Sequence, residues 1–546
     1  MHPFVARVSP VVCLVCRPAS LFWTRRRLQS GDFLQVIAAG DWFSWRLRSV
    51  VRTHPEARGR QIRALQAQMA EIRLHNTLSG KVEAFVPQQA GEVKMYTCGP
   101  TVYDYAHIGN YRTFVFQDIL RRFLKLRGFQ LNHVMNLTDV DDRIIAKSSA
   151  AGLSIREYTE KYAQAFFEDC QTLSIEAPEQ WVRATDHIGE MVKLIEALQK
   201  KSFTYVSDGS IYYRIAKFPE YGKLSKIDVG GMQAGARVDV DQYEKESARD
   251  FALWKAPKPG EHFWETEIGT GRPGWHIECS AMAMKYLGET LDIHTGGIDL
   301  AFPHHENEIA QSEGATRKPF VRYWMHAEHL LVEGEKMSKS LGNFFTLRDL
   351  FAKGYKPSAL RFALASVPYR KQLNFTFDGL TQATNSVERL RNFADRLRAG
   401  KFAEGNAAGM AERVAVAAKE FDEGLSDDLN TARALAAVFD LVRDVNIAMD
   451  KGEFRQGDVA AVREFLAAFD KVFAVLEDND VAKLKTLGYG GDSGPGDAEI
   501  EKLVAARQAA RQRKDFAESD RIRKELADRG IILEDSRDGS VRWKRK

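Results

Sequence analysis

Hydrophobic and polar residues follow a strand, helix, strand order in one segment near residue 100. The stretch EVKMYTC (92–98) predicts a buried strand, and FQLNHVMNLT (129–138) predicts another. Between them, YRTFVFQDILRRFLKLRG (111–128) carries its apolar residues on one side of an amphipathic helix. Such a unit predicts a parallel sheet, in which ligands bind beyond the carboxyl ends of the strands.

The pattern changes further along the chain. Around TYVSDGSIYYRI, residues 190–265 predict a strand-rich insertion. From about 380 to 487 the apolar residues recur at helical spacing and predict a helical bundle. GYGGDSGPGD (488–497) predicts a flexible linker before a last charged helix and strand.

Composition is typical of a globular chain with room for several domains. The 546 residues are 44% hydrophobic and 28% charged. We find no stretch after the N-terminus that approaches the ~20 apolar residues of a membrane span. Five cysteines are too few for a disulfide framework, which favours a reducing compartment. Cys13 and Cys16 form C-x-x-C without a second pair at zinc-finger spacing, so a metal role there is disfavoured.

The first 68 residues differ in charge from the remainder. They hold eleven arginines and three acids, a local charge of +8, whereas the whole chain carries +4. This composition resembles a mitochondrial transit peptide. Alternatively, translation starts at Met69 and the preceding residues are leader sequence. We favour Met69, and therefore expect a cytoplasmic protein, with a mitochondrial location as the alternative.

Three short stretches carry candidate chemistry. CGPTVYDYAHIGN (98–110) follows the first strand, where Gly109 and a helix N-terminus suit a phosphate, although a capped turn explains it equally well. EGEKMSKSLGN (333–343) suits a departing pyrophosphate, yet a lysine loop alone is usually solvated surface. FPHHENEIAQS (302–312) is compatible with a metal site, with a catalytic pair or with the ordinary polar start of a helix.

Taken together, HIGN and KMSKS resemble the paired ATP motifs of the class I aminoacyl-tRNA synthetases. With NLTDVDDRI, GWHIECSAM and GGIDLAFPHHENEIAQS added, residues 71–546 resemble the cysteinyl-tRNA synthetases. One departure is Asn110, where many class I enzymes have a second histidine. An asparagine amide still donates hydrogen bonds, so altered contacts are expected and not lost activity.

The resemblance implies roles for residues of this chain. It implies one zinc ion per subunit, held by Cys98, Cys279, His304 and Glu308, with His305 and Glu306 in structural roles. ATP, accompanied by Mg²⁺, would contact His107, Gly109, Asn110, Asp299, Lys336, Ser338 and Lys339, of which His107, Asn110, Lys336 and Lys339 would be catalytic. Gly99, Thr138 and Trp275 would line the amino-acid pocket, although helix capping explains Thr138 and core packing explains Trp275.

The tRNA anticodon would contact Arg511, Phe516, Asp520 and Asp535, in a segment that is otherwise typical of a solvated helix.

The expected protein is a monomeric cysteine–tRNA ligase that uses ATP, L-cysteine and tRNA(Cys), with zinc selecting the cysteine thiolate. Two rivals are an amino-sugar cysteine ligase, which lacks an anticodon module, and a zinc-stabilised RNA-binding protein without catalysis. The expected fold is α/β. Its predicted segments are 1–68 as an extension outside the fold, 69–335 as a Rossmann-like catalytic domain with the insertion, 336–387 as a lysine-loop and stem-contact region, 388–487 as a helical bundle, 488–497 as the linker and 498–546 as an α+β anticodon-binding module.

Overall fold

The computed structural model describes residues 70–227, 249–489, 497–528, 530–535 and 541–545. The N-terminal extension and its candidate start at Met69 lie outside the described residues, as do most of the predicted linker and part of the predicted insertion.

Helices and strands alternate in the first half of the described chain, and helices dominate the second half. The strands are β1 Arg73–Asn76, β2 Lys81–Ala84, β3 Glu92–Thr97, β4 Gln130–Leu137, β5 Gln180–Arg183, β6 Thr204–Ser207, β7 Ser210–Tyr213, β8 Phe251–Lys255, β9 Arg272–Pro273, β10 Leu291–Gly297, β11 Val321–Ala327, β12 Leu330–Val332, β13 Glu335–Lys336, β14 Leu373–Phe375, β15 Ile531–Asp535 and β16 Val541–Arg545. The α-helices are α1 Ile108–Leu126, α2 Asp142–Ala151, α3 Ile155–Thr172, α4 Ile188–Lys200, α5 Trp275–Leu287, α6 Glu306–Thr316, α7 Leu347–Ala352, α8 Pro357–Ala365, α9 Phe377–Ala399, α10 Met410–Ser426, α11 Thr431–Asp450, α12 Val459–Phe473, α13 Asp480–Thr486, α14 Asp497–Gln512 and α15 Phe516–Asp528.

The central sheet is parallel and has the strand order β11-β10-β3-β4-β5. Strands β4 and β5 lie on one side of β3, and the later strands β10 and β11 lie on its other side. The order therefore reverses between β3 and β10, which is where open α/β sheets bind ligands. The predicted strand, helix, strand unit is confirmed as β3, α1 and β4, and the predicted α/β class is confirmed with it.

The remaining parts surround this sheet or follow it. Strands β6 to β9 form an antiparallel sheet, of which β6 to β8 lie within the predicted insertion and β9 lies beyond its predicted end at 265. Helices α9 to α12 bury apolar side chains at the predicted helical spacing, and α9 begins at Phe377, where Thr376 caps it. Helices α14 and α15 and the β15–β16 hairpin share a small core of their own. Within the described ranges, no helix combines the length and the apolar character needed to cross a bilayer.

A buried ion pair joins α1 to the helices that follow the sheet. Arg361 on α8 places Nη2 2.5 Å from Oδ2 of Asp118 on α1, and both side chains are buried. Arg361 also donates to the carbonyls of Phe473 and Leu173. Burial alone would raise the pKa of Asp118, but Arg361 and Arg122 outweigh burial and lower it.

Replacing Asp118 by asparagine should destabilise the fold by about 3–5 kcal/mol at neutral pH, because it leaves the Arg361 charge buried without its partner. The folded-state pKa of Asp118 is lowered, so its contribution is complete above the ordinary value of ~3.9 and is lost only as the pH falls through the lower folded value. Denaturant unfolding from pH 7 downward measures the difference between wild type and variant.

The matched control is Asp395→Asn, which removes the exposed Asp395–Arg398 pair and should cost less than ~1 kcal/mol. Equal losses of unfolding free energy in the two variants would contradict the role of the Asp118–Arg361 pair. The same holds if wild type is no more stable than Asp118→Asn already at about pH 6.

Candidate active site

The carboxyl ends of β3 and β10 lie side by side at the reversal of strand order, where open α/β sheets have their ligand-binding crevice. Cys98 follows β3 directly, and its backbone N–H donates to the carbonyl of Thr295 in β10 over 3.2 Å. After β10, the turn Ala301–His305 leads into α6. Helical backbone runs from Pro303 through His305 into α6, after the extended Phe302 (φ −140°, ψ 132°).

Four buried side chains meet in this crevice: Cys98, Cys279 of α5, His304 and Glu308 of α6. One possible ligand atom from each lies within 4.8 Å of every other. The two Sγ atoms are 3.9 Å apart, and His304 Nε2 is 3.1 Å from Glu308 Oε1. The structure thus gathers the four residues that the resemblance implied as ligands.

The geometry of this group fits zinc. A separation of 3.9 Å between the sulfurs is far beyond a disulfide but close to the ~3.8 Å of two thiolates on a tetrahedral ion with ~2.3 Å bonds. Glu308 Oε1 is buried, and although His304 Nε2 lies 3.1 Å away, no described residue donates to this oxygen with hydrogen-bond geometry. Two thiols, an imidazole and a carboxylate are a set of ligands that zinc accepts.

Neighbouring histidines orient two of the ligands. His276 Nδ1 lies 2.9 Å from His304 Nδ1, which leaves His304 Nε2 directed at Glu308 and the thiols. His294 Nε2 lies 3.0 Å from Glu308 Oε2, which leaves Oε1 directed at His304. Partners of this kind fix ligand orientation in metal sites. The sequence analysis missed His276 and His294, because a polar residue inside a strand or a motif helix carries no spacing signal of its own.

A second set of possible ligands overlaps the first and consists of Cys98, His294, His305 and Glu308. His305 Nε2 lies 3.3 Å from Cys98 Sγ, and its Nδ1 lies 2.8 Å from His326 Nε2. His326 Nδ1 in turn lies 2.8 Å from the Thr77 hydroxyl. His305 therefore lies close enough to the thiol to compete with His304 as a ligand.

Proton affinities within the group are strongly perturbed. Hydrogen bonding from Cys98 lowers the pKa of Cys279 to about 6, whereas burial raises the pKa of Cys98. Burial opposes a charge on His304, but the Cys279 thiolate and Glu308 outweigh it and raise its pKa to about 10. Burial lowers the pKa of His305 well below the ordinary value. Without a metal ion, these shifts favour a proton on His304 and an ionised Cys279, and they disfavour a charge on His305.

The two ATP-type motifs contact each other across the crevice. His107 is the N-cap of α1: its Nδ1 accepts from the Asn110 N–H at 3.3 Å, and Asn110 Oδ1 accepts from the His107 N–H at 3.1 Å. The ring of His107 packs edge-on against Phe344, which follows the lysine loop. A Cβ on Gly109 would lie 3.0 Å from Met337 Cε and from the His107 ring, so a larger residue would have to displace these side chains.

The lysine loop itself is exposed and folds back on the first motif. Lys339 Nζ lies 3.2 Å from Asp104 Oδ2, although the lysine side chain is 68% exposed. The Ser338 N–H donates to Asn343 Oδ1, and its hydroxyl lies 2.6 Å from that of Ser340. Lys336 is exposed at the end of β13. The loop therefore has a defined resting contact, which the sequence did not predict, since Asp104 lies 235 residues away.

The other predicted residues of the crevice lie around the same edge of the sheet. A Cβ on Gly99 would come within 1.8 Å of the Asn136 carbonyl, so this position requires glycine. The Thr138 hydroxyl accepts from Asn136 Nδ2 at 3.1 Å, and Trp275 stacks obliquely on His304 with ring centroids 4.5 Å apart. Asp299 lies in the short helix after β10, close enough to influence the pKa of His107.

The predicted anticodon residues lie in the C-terminal part of the chain. Phe516 is 64% exposed at the start of α15, and Asp520 is exposed on the same helix. Asp535 accepts two hydrogen bonds from Arg507, at 2.7 and 2.8 Å, and pairs with Arg511 at 3.0 Å. Arg507 was missed by the sequence analysis, because its partner lies beyond the next helix.

Family models, curated relatives and solved structures were compared with this chain, and all three give matches to aminoacyl-tRNA synthetases. Family models match residues 84–385 (tRNA synthetases class I (C) catalytic domain), 420–477 (DALR domain) and 495–543 (cysteinyl-tRNA ligase anticodon binding domain). The cysteine–tRNA ligase of Solibacter usitatus is 61% identical over 475 residues, and that of Koribacter versatilis is 58% identical over 494; each match covers 87% of this chain and all of the relative. The structure of methionyl-tRNA synthetase of Mycobacterium tuberculosis bound by methionyl-adenylate superposes with a TM-score of 0.54 at 14% identity, covering 74% of this chain and 95% of that one.

The two overlapping sets of ligands predict different outcomes for adjacent histidines. His304→Ala should lower zinc content after dialysis against a chelator to less than about a tenth of wild type, because it removes the imidazole that faces both thiols. His305→Ala should retain most of the metal. Metal analysis of both purified variants decides between the sets: loss on His305→Ala with retention on His304→Ala would assign the ion to the second one.

Proposed function

The chain belongs to the cysteinyl-tRNA synthetase family of class I aminoacyl-tRNA ligases, and from that premise we propose that it activates L-cysteine with ATP as cysteinyl-adenylate before transferring the cysteinyl group to tRNA(Cys). The observation that carries the proposal is the position of the Cys98, Cys279, His304 and Glu308 group in the same crevice as the two ATP-type motifs.

We propose that this group selects the amino acid. Zinc held by these four residues would supply a soft Lewis acid that prefers a thiolate to a hydroxyl. A pocket that distinguished the two amino acids by shape alone would favour cysteine over serine by no more than ~1–3 kcal/mol of binding free energy. Trp275, whose ring lies on His304, would close the pocket over the side chain and exclude water.

His107 would bind ATP as a neutral donor. Burial lowers its pKa, so the ring is uncharged at neutral pH. Because Nδ1 accepts from the Asn110 N–H, the ring proton is assigned to Nε2, which can donate to a phosphate oxygen. The Asn110 side-chain oxygen is used in the cap, so its amide NH₂ group is the part that can reach ATP.

The lysine loop would neutralise the charge that develops on pyrophosphate. Lys339 must exchange Asp104 for a phosphate oxygen, and its exposure makes this exchange inexpensive. A carboxylate oxygen of cysteine would attack the α-phosphorus, and the bond from that phosphorus to the oxygen that bridges to the β-phosphate would break, so that pyrophosphate leaves. Mg²⁺ bound with ATP would offset part of the phosphate charge. Catalysis by these residues is then a matter of position and charge.

The C-terminal segment supports tRNA as the acceptor. Its match to a cysteinyl-tRNA ligase anticodon binding domain argues against the amino-sugar ligase, which would lack that module. We propose that Phe516 stacks on an unpaired anticodon base, with Asp520 nearby, since exposed rings are used in this way by RNA-binding proteins. Arg511 and Asp535 would need to open their mutual pair to contact RNA.

Two assays in sequence test the proposal. The protein should exchange labelled pyrophosphate into ATP in the presence of cysteine and not of serine, and should then charge tRNA(Cys). Exchange without charging would indicate the amino-sugar ligase, and an absence of cysteine-dependent exchange would refute the proposal.

Lys339→Ala should slow adenylate formation by about 100-fold or more, because the charge is needed most as pyrophosphate departs. The dissociation constant of cysteine should change by less than about threefold, since the lysine contacts no part of the amino acid in this account. Single-turnover kinetics and equilibrium titration separate the two quantities. The control is Lys353→Ala, another exposed lysine close in sequence, which should change neither. Losses of equal size in both quantities for Lys339→Ala would contradict the assigned role.

A further inference from the structure

One carboxyl group in the crevice is buried without a partner. Glu278 on α5 is 0% exposed, and neither of its oxygens has a hydrogen-bond partner among the described residues. Buried carboxylates in proteins are normally paired with a cation or with several donors. The roles assigned so far do not use this residue.

Its place on the helix directs it at the amino-acid pocket. Trp275 and Glu278 are three residues apart on α5, and residues at that spacing are neighbours on one helix face. Cys279 follows immediately and belongs to the metal-ligating group. Burial raises the pKa of Glu278 well above its ordinary value, and Cys279 and Asp139 raise it further. The Thr138 hydroxyl, which follows β4, acts in the opposite direction, although no hydrogen bond of normal geometry joins the two side chains.

The neighbouring acids already have partners. Asp139 accepts from the backbone N–H and the hydroxyl of Thr185, at 2.9 and 2.7 Å. Asp142 is held by Lys255 and Arg272. The other ionisable groups that act on Glu278 are Cys279, Asp139 and Asp141, which carry negative charge when ionised. Among the described residues, Glu278 is therefore the buried acid of this region that lacks a donor or a cation.

We propose that Glu278 binds the α-ammonium group of the cysteine substrate, an inference that rests on the proposed function. The substrate presents three groups: a thiol for the metal-ligating residues, a carboxylate that must face ATP, and an ammonium. A single carbon–carbon bond joins the carbon that carries the thiol to the carbon that carries the ammonium. The residue that holds the ammonium must therefore lie close to the residues that receive the thiol. Glu278 meets this condition, because it shares a helix face with Trp275 and lies close enough to Cys279 for their charges to interact.

The test compares L-cysteine with 3-mercaptopropionate, which has the same thiol and carboxylate but no ammonium. Wild-type protein should bind cysteine about 10- to 150-fold more tightly, the range expected for hydrogen bonds to a charged partner. In Glu278→Gln this preference should fall to less than about threefold, while affinity for 3-mercaptopropionate stays the same or rises, because no unpaired carboxylate remains buried. Calorimetric titration measures the four affinities.

The control is Asp139→Asn, which changes a buried acid that already has donors and should leave the preference intact. Zinc content and melting temperature of each variant show whether the site and the fold are retained. Equal weakening of both compounds by Glu278→Gln, with metal retained, would make the residue structural and overturn the inference. If that variant does not fold, the wild-type ratio decides, since equal binding of the two compounds excludes an ammonium site. Absence of cysteine-dependent exchange in the wild type would instead refute the proposed function.

Discussion

The parallel pairing of β3 with β10 is the contact on which the crevice depends. Met95, Tyr96 and Thr97 pair with Ile293, His294 and Thr295, and this register sets where each strand ends. Cys98 leaves one strand and the turn before α6 leaves the other, so a thiol and an imidazole more than 200 positions apart in sequence face each other. The helix α5 then adds Cys279 from a third segment. A shift in this register would separate all of these groups at once.

The proposed function places both substrates at the same edge of the sheet. The α1 N-terminus, with His107 as its cap, lies against the lysine loop through Phe344 and Met337, so the nucleotide side of the crevice is assembled by contacts between the two motifs. On the amino-acid side, Trp275, Glu278 and Cys279 project from the first turns of α5. Binding energy from one substrate can therefore be used to position the other.

The sequence predicted those parts of the fold that depend on hydrophobic periodicity and on motifs of neighbouring residues, because both are visible within a short stretch of the chain. The β3–α1–β4 unit was legible from its hydrophobic pattern, and the ends of its elements differ from the prediction by a few residues because caps such as His107 decide them. The group of four ligands was not legible from spacing, since the thiols are 181 residues apart and only family motifs pointed to both. Partners such as Asp104 for Lys339 and Arg507 for Asp535, and the absence of a described partner for Glu278, depend on tertiary packing and have no signal in the sequence.

The central claim is that two protein thiolates in the crevice help to hold a zinc ion, and that this ion selects cysteine by binding the thiolate of the substrate. X-ray absorption at the zinc edge, recorded on the purified protein alone, with L-cysteine and with L-serine, measures the number of sulfur ligands directly. The account predicts about two sulfurs in the free protein, about three with cysteine and no increase with serine. A spectrum with only nitrogen and oxygen ligands, or a sulfur number that cysteine does not change, would contradict it.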